Sequence, residues 1–327
     1  MGNLCNILVT GGAGYVGSHI AIEMLDAGYR VLVVDNLSTG NEFLVPRQAE
    51  FQAIDIRDVD AMVTLMRSQR IGAVVHCAGS TVVPESVQDP LNYYDNNVAG
   101  SLALFEAMQL ADVRRLVFSS TAAVYDVRAE EKTDEASALG PCSPYGASKL
   151  MVERIIQDLA AAYQLDYMIL RYFNVAGADA HGRSGQCTPG ATHLIKIACE
   201  VALGKRHHLD IYGTDWPTKD GTGVRDFIHV SDLAEAHRLA MEALLSGGGN
   251  AIYNCGYGYG YSVKQVVRAL EDVVGYAVEY RSAPRRPGDL ASVVADSRAL
   301  KTDLRWVPRY DDIREILSHA LAWERRL

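Results

Sequence analysis

One stretch near the start restricts the fold more than any other. The short apolar run Asn6–Thr10 leads straight into Gly11-Gly12-Ala13-Gly14-Tyr15-Val16-Gly17, and a helix-like segment follows over 17–28. Glycines at 11, 14 and 17 let a strand turn sharply into a helix, bring backbone N–H groups against a phosphate, and seat the helix close on the sheet. The helix N-terminus adds partial positive charge. The spacing is G-x-x-G-x-x-G, a variant of the usual G-x-G-x-x-G fingerprint. Its weight comes from its place directly after the first strand and before a helix.

The first half keeps this rhythm. Apolar runs at 31–34, 51–54, 74–77, 115–119 and 168–171 read as further strands, and helix-like segments near 58–69, 90–111 and 145–163 separate them. Strands rich in Val, Ile and Leu with helices long enough to cross over predict an α/β fold, a Rossmann-like doubly wound parallel sheet covered on both faces. Ligands of such sheets lie beyond the carboxyl ends of the strands. After about residue 174 the rhythm breaks, Gly and Pro become frequent, and shorter helices remain near 191–203, 231–245 and 262–274. The division expected is a dinucleotide-binding domain over 1–174 and a smaller C-terminal α/β substrate domain over 175–327.

Composition narrows the function. The 327 residues carry a formal charge of −9, which disfavours wrapping nucleic acid or lying on an anionic membrane. No apolar run approaches the roughly 18–20 residues needed to span a bilayer. Residues 1–4 read as a short leader rather than a signal, and Asn6 stands where an N-myristoylation motif calls for Ser or Thr. Six scattered cysteines without paired spacing read as reduced thiols, and no His/Cys spacing marks a metal site. A cytoplasmic, metal-free protein is expected.

Asp35 closes the second strand, 24 residues past Gly11. A carboxylate there accepts hydrogen bonds from ribose hydroxyls and repels a 2′-phosphate, and Asn36-Leu37-Ser38 offers no arginine, so NAD is favoured over NADP. Asp55, after the third strand, is placed equally well for an adenine edge or for a helix N-cap. Tyr145 and Lys149 stand at i and i+4, one above the other on a helix face. An ammonium beside a phenol favours the phenolate and lowers its pKa from ~10 towards neutrality, which makes a general base for an alcohol. Thr121, at the end of the strand before, would deliver a hydroxyl to the same sheet edge.

With these residues in order the chain resembles the extended short-chain dehydrogenase/reductases, and among them the UDP-glucose 4-epimerase family of the bacterial exopolysaccharide type. The matching stretches include Val9–His19 around the glycines, Pro84-Glu85-Ser86-Val87, Tyr93-Tyr94-Asp95-Asn96-Asn97, Ser143-Pro144-Tyr145-Gly146-Ala147-Ser148-Lys149, Arg171-Tyr172-Phe173-Asn174, the run from Asp220 to Val230, and Ala283-Pro284-Arg285-Arg286-Pro287-Gly288-Asp289. The resemblance implies inversion at C4 of a UDP-hexose through a 4-keto sugar, with tightly held NAD, in a homodimer. It implies that Gly11, Gly14, Tyr15, Val16, Asp35, Asn36, Asp55, Ile56, Ala78, Gly79, Asn96, Lys149 and Phe173 contact NAD, and that Thr121 and Tyr145 face the sugar. Asn174, His193, Leu194, Ile211, Tyr212, Arg225, Arg286 and Asp289 would hold the UDP. Arg225 and Arg286 are planar forks suited to pyrophosphate oxygens.

This chain also departs from the family. Thr81 stands where many members carry a lysine, Asp126 replaces the glycine of Val-Tyr-Gly, and the residue at the sugar's 2-position is the small Val293, which leaves room for N-acetylated sugars. The epimer pair therefore stays open among UDP-glucose/galactose, their N-acetyl forms and UDP-xylose/arabinose. Ala122-Ala123 after Thr121 cannot donate the proton a 4,6-dehydratase needs, and retention of Tyr145 and Lys149 disfavours a non-catalytic NAD sensor. Leu102, Leu104, Leu150 and Ile155 are expected contacts of a dimer built from the helices near 90–111 and 145–163.

Overall fold

The computed structural model describes residues 5–126, 132–188, 190–286 and 289–327. The leader at 1–4 and the Pro287-Gly288 part of the last matching stretch lie outside the described residues. The chain runs β1 (Asn6–Thr10), α1 (Tyr15–Asp26), β2 (Arg30–Asp35), β3 (Glu50–Ala53), α2 (Val59–Ser68) and β4 (Ile71–His76). Next come α3 (Val83–Gln88), α4 (Pro90–Tyr93), a π-helical turn at Tyr94–Ala99, α5 (Gly100–Leu110), β5 (Arg115–Thr121), α6 (Pro144–Tyr163) and β6 (Asp166–Tyr172). Then follow β7 (Asn174–Ala176), α7 (Leu194–Ala202), β8 (Leu209–Tyr212), β9 (Val224–Arg225), β10 (Phe227–His229), α8 (Val230–Leu245) and β11 (Ala251–Cys255). The chain closes with β12 (Tyr261–Ser262), α9 (Val263–Val274), β13 (Tyr280–Ala283), β14 (Ser292–Val293), α10 (Arg298–Asp303) and α11 (Ile313–Glu324).

Two compact units result. The first holds residues 1–124, 139–171 and 234–253; the second holds 125–138, 172–233 and 254–327. The chain is thus not cut once near residue 174. The reason is the sheet: β11 returns to pair beside β6, completing the order β11-β6-β5-β4-β1-β2-β3. Pairing is parallel from β5 through β4, β1 and β2 to β3. The order reverses between β1 and β4, and this is the switch point where the crevice of a doubly wound sheet opens. Leu8, Leu32, Leu104, Leu116, Phe118 and Ile169 share one buried core in this unit. Leu104 has no exposed surface and belongs to that core, which removes it from the expected dimer contacts.

Local chemistry explains the element ends that matter for the site. Pro144 opens α6 with its ring-fixed φ, the Ser143 hydroxyl caps it by accepting from Gly146 N–H, and Gln164 ends it in the left-handed region at φ 57°. The helix read over 90–111 is α4, a π-helical turn and α5, because apolar periodicity does not register one residue inserted per turn. In the second unit β7 pairs with β10, β9 sits between β12 and β14, and β8 pairs with β13. Ser262 and Gln265 form a reciprocal capping box at the start of α9.

Candidate active site

The cradle lies where β1 meets α1, and the backbone there leaves no room for side chains. Gly11 is at φ +70°, and a Cβ on it would stand 2.6 Å from Ala78 N, so the loops after β1 and β4 touch backbone to backbone. A Cβ on Gly17 would stand 2.2 Å from the Gly11 carbonyl oxygen. Helix α1 begins at Gly14 without a side-chain cap, which suits N–H groups meant for an outside anion. This donor set fits a dinucleotide pyrophosphate. Asp35, at the carboxyl end of β2, is buried; its carboxylate accepts from Ala13 N–H at 3.1 Å and Leu37 N–H at 2.8 Å, and burial raises its pKa. An ionised carboxylate offers about four acceptor positions, so two remain for ribose hydroxyls.

Asp55 is gripped by Arg57, whose Nε and Nη2 donate at 3.0 and 2.8 Å, and by Asn36 Nδ2 at 3.0 Å. The guanidinium holds its pKa well below the carboxylate range. The N-cap of α2 is Asp58, which accepts from Ala61 N–H, so the capping alternative for Asp55 is overturned: α2 starts three residues later than that role needs. Ile56 is buried beneath Gly100, and Asn96 donates to Ser80 Oγ at 2.9 Å.

Tyr145 and Lys149 stand on the first turns of α6 above the end of β5, both buried. Thr121 beside the Tyr145 phenol favours its ionised form, and Lys149 Nζ donates to the Ser119 carbonyl at 2.9 Å while lying 4.7 Å from the Phe118 ring centre. The expected fall in the phenol pKa is not found in the chain by itself. Burial pushes Tyr145 up to about 12, with the Thr121 hydrogen bond opposing it, and burial pulls the Lys149 ammonium down to about 8. Desolvation dominates at both groups because each is taken out of water.

Asn97 is a residue that spacing did not single out. From the π-helical turn its Oδ1 accepts from Ser80 N–H at 2.7 Å, and its Nδ2 donates to Ser148 Oγ at 2.9 Å and to the Ser80 carbonyl at 3.1 Å. It ties the loop after Gly79 to α6 between Tyr145 and Lys149. The available signal was a second asparagine directly after Asn96 in the polar run Asp95-Asn96-Asn97.

The second unit gathers most of the residues expected to hold UDP. Arg225 Nη1 donates to the Val224 and Leu290 carbonyls, both at 2.9 Å, and Nη2 lies 3.6 Å from Asp289. Val293 pairs with Arg225 across β14 and β9, and Asn174 N–H donates to the Asp226 carbonyl at 3.0 Å. Arg286 stacks on the Tyr212 ring at 3.6 Å from its centre, and Ile211 beside it is buried. Phe173 is buried, with its N–H on the Cys255 carbonyl. His193 caps α7 and Leu194 is its first residue; the His193 ring meets the Gln186 amide at 3.3 Å.

A glycine cradle at the switch point of a seven-stranded doubly wound sheet, with a Tyr–Lys pair on the helix beside it, defines a dinucleotide-binding α/β protein of the Rossmann-like kind. The chain belongs to the NAD dependent epimerase/dehydratase family, whose pattern matches residues 7–256. It is 50% identical over 321 residues to the UDP-glucose 4-epimerase of Azospirillum brasilense, covering 98% of this chain and 92% of that one. Among solved structures it is similar to a UDP-glucose 4-epimerase from Brucella ovis in complex with NAD, at 41% identity, TM-score 0.95, and 97% and 98% coverage of the two chains. It is equally similar to the enzyme from Stenotrophomonas maltophila with bound NAD and formylated UDP-arabinopyranose, at 40% identity, TM-score 0.96 and 98% coverage of each. Among the described residues no helix is long and apolar enough to cross a membrane.

Proposed function

We propose that the chain is a UDP-glucose 4-epimerase that interconverts UDP-glucose and UDP-galactose by inversion at C4. The first unit holds NAD, with Gly11, Gly14, Tyr15 and Val16 at the pyrophosphate, Asp35 at the ribose, Asn36, Asp55 and Ile56 towards the adenine, and Ala78, Gly79 and Asn96 further along. The second unit holds UDP through Arg225, Arg286, Asp289, Tyr212 and their neighbours. The observation that carries the reading is Tyr145 on the first turn of α6 at the end of β5, with Thr121 beside its phenol and Lys149 one turn on, held to the Ser119 carbonyl. NAD, when bound, supplies a reversible hydride acceptor and a cationic ring that favours the Tyr145 phenolate.

The chain's own residues move the proton and hold the substrate. Tyr145 takes the proton of the sugar 4-hydroxyl and returns one to the same oxygen after the sugar has turned its other face. Thr121 hydrogen-bonds the same oxygen, and the Lys149 ammonium stabilises the phenolate. Arg225 and Arg286 hold the pyrophosphate while the sugar turns, so the intermediate is kept from leaving. A cytoplasmic homodimer is part of the proposal, with Leu102 on α5 and Met151 on α6 supplying exposed apolar surface. The test is Tyr145→Phe, which leaves packing intact and removes the hydroxyl. Turnover of UDP-galactose falls by about 10²–10⁴-fold on this account, and full turnover refutes it.

A further inference from the structure

The end of β5 is laced to α6 residue by residue. Thr121 lies beside the Tyr145 phenol, the Ser119 carbonyl accepts from Lys149 Nζ, and the Ser120 hydroxyl donates to Glu153 Oε1. Tyr145, Lys149 and Glu153 are spaced by four and form one stripe along the helix. The first two contacts belong to the proposed catalytic pair, whereas the third touches no reacting atom.

Glu153 is held in turn by Arg171 of β6. Arg171 Nη2 donates to Oε2 at 2.6 Å and Nε to Oε1 at 3.0 Å, and the two residues are 2% and 1% exposed. Desolvating two such charges costs several kcal/mol each, and apolar residues of the same volume are often as stable or more so. Stability alone therefore gives no reason for the pair. Apolar packing cannot supply a fixed acceptor for Ser120, and such an acceptor determines how far along β5 the helix sits.

We propose that Glu153, braced by Arg171, is a positioning residue that sets the register in which β5 presents Thr121 to Tyr145 and the Ser119 carbonyl to Lys149. The inference rests on the catalytic reading of Tyr145 and Lys149. Its charge has a second consequence. The Lys149 ammonium faces Glu153 on its own helix, His76 from β4 and Cys77 just after it, and the Phe118 ring from β5. Of these Glu153 and Cys77 act to keep it protonated against burial.

Three variants assayed with UDP-galactose test this. Ser120→Ala removes one hydroxyl and leaves the ion pair in place; kcat falls about 10- to 100-fold, the scale of a 1 Å misplacement, with KM little changed. Glu153→Gln keeps the shape and removes the charge; kcat falls and the alkaline limb of its pH profile moves to lower pH by about one unit. Because that variant removes the carboxylate facing the buried Arg171 guanidinium and can unfold, Glu153→Gln/Arg171→Gln removes both charges and moves the limb in the same direction by less, since a cation leaves with the carboxylate. A parent-like kcat in Ser120→Ala, or an unmoved alkaline limb in the folded double variant, overturns the proposal. Tyr145→Phe separates the two readings. If it keeps full turnover the catalytic reading falls and this inference with it. If it is inactive while the other variants match the parent, the positioning role alone falls.

Discussion

Replacing Gly17 by alanine tests the cradle at its tightest point. The added Cβ would meet the Gly11 carbonyl oxygen at 2.2 Å, its carbon at 2.8 Å and Gly12 Cα at 2.9 Å. An ordinary carbon–oxygen approach is about 3.3 Å, so relief requires α1 and the 11–14 loop to part by roughly 1 Å. Neither side can rotate away, because all three atoms are backbone and Gly11 is fixed by its N–H on the Val34 carbonyl and by Gly14 N–H on its own carbonyl. Overpacking of this kind costs about 1–3 kcal/mol of stability. Losing one charge-assisted hydrogen bond to phosphate costs about 1.5–3 kcal/mol more in binding, a 10- to 100-fold weaker hold on NAD. The assay is the NAD released per subunit on denaturing the purified variant, with melting temperatures taken with and without added NAD. Gly249→Ala is the control, since its Cβ meets nothing within 4 Å. Parent-level NAD and an unchanged melting temperature in Gly17→Ala would refute the reasoning.

Two further predictions concern a buried base and a half-buried cation. His76 is fully buried between Thr10 Oγ1 and Ser101 Oγ, and burial, with the Lys149 charge adding to it, holds its pKa down to about 3. An unfolded histidine titrates near 6.5, so the unfolded state binds more protons below that pH; stability is full above about pH 6.5 and falls by about 1.4 kcal/mol per unit as the pH drops towards 3. In urea melts at pH 7 and pH 5 the parent therefore loses about 2 kcal/mol more than His76→Gln, and equal losses contradict the assignment. Arg225→Ala removes a fork proposed for pyrophosphate. It raises KM for UDP-galactose about 10- to 100-fold with kcat nearly unchanged, whereas a fall in kcat at constant KM counts against a binding role.

The parts of this molecule legible in the sequence are those where backbone geometry restricts residue type. Gly11 and Gly17 could be read because no Cβ fits there, and Asp35 because a strand end beside the cradle sets one carboxylate against the glycine loop. The Tyr145–Lys149 stripe follows from helical spacing alone. Strand β11 was not legible: five residues after a glycine loop carry no sign that they pair with β6, some 80 residues earlier. Asp55 and Asp58 offer the same side chain three residues apart, and only the start of α2 decides which one caps it. Glu153 and Arg171 look like surface charges in a sequence, because burial of such a pair depends on three elements meeting.

Incubating the purified protein with UDP-galactose, with no cofactor added, and assaying for UDP-glucose tests the central claim most directly. The account predicts UDP-glucose, because NAD that is regenerated in each turnover stays with the protein. Absence of product, even after NAD is supplied, would contradict it.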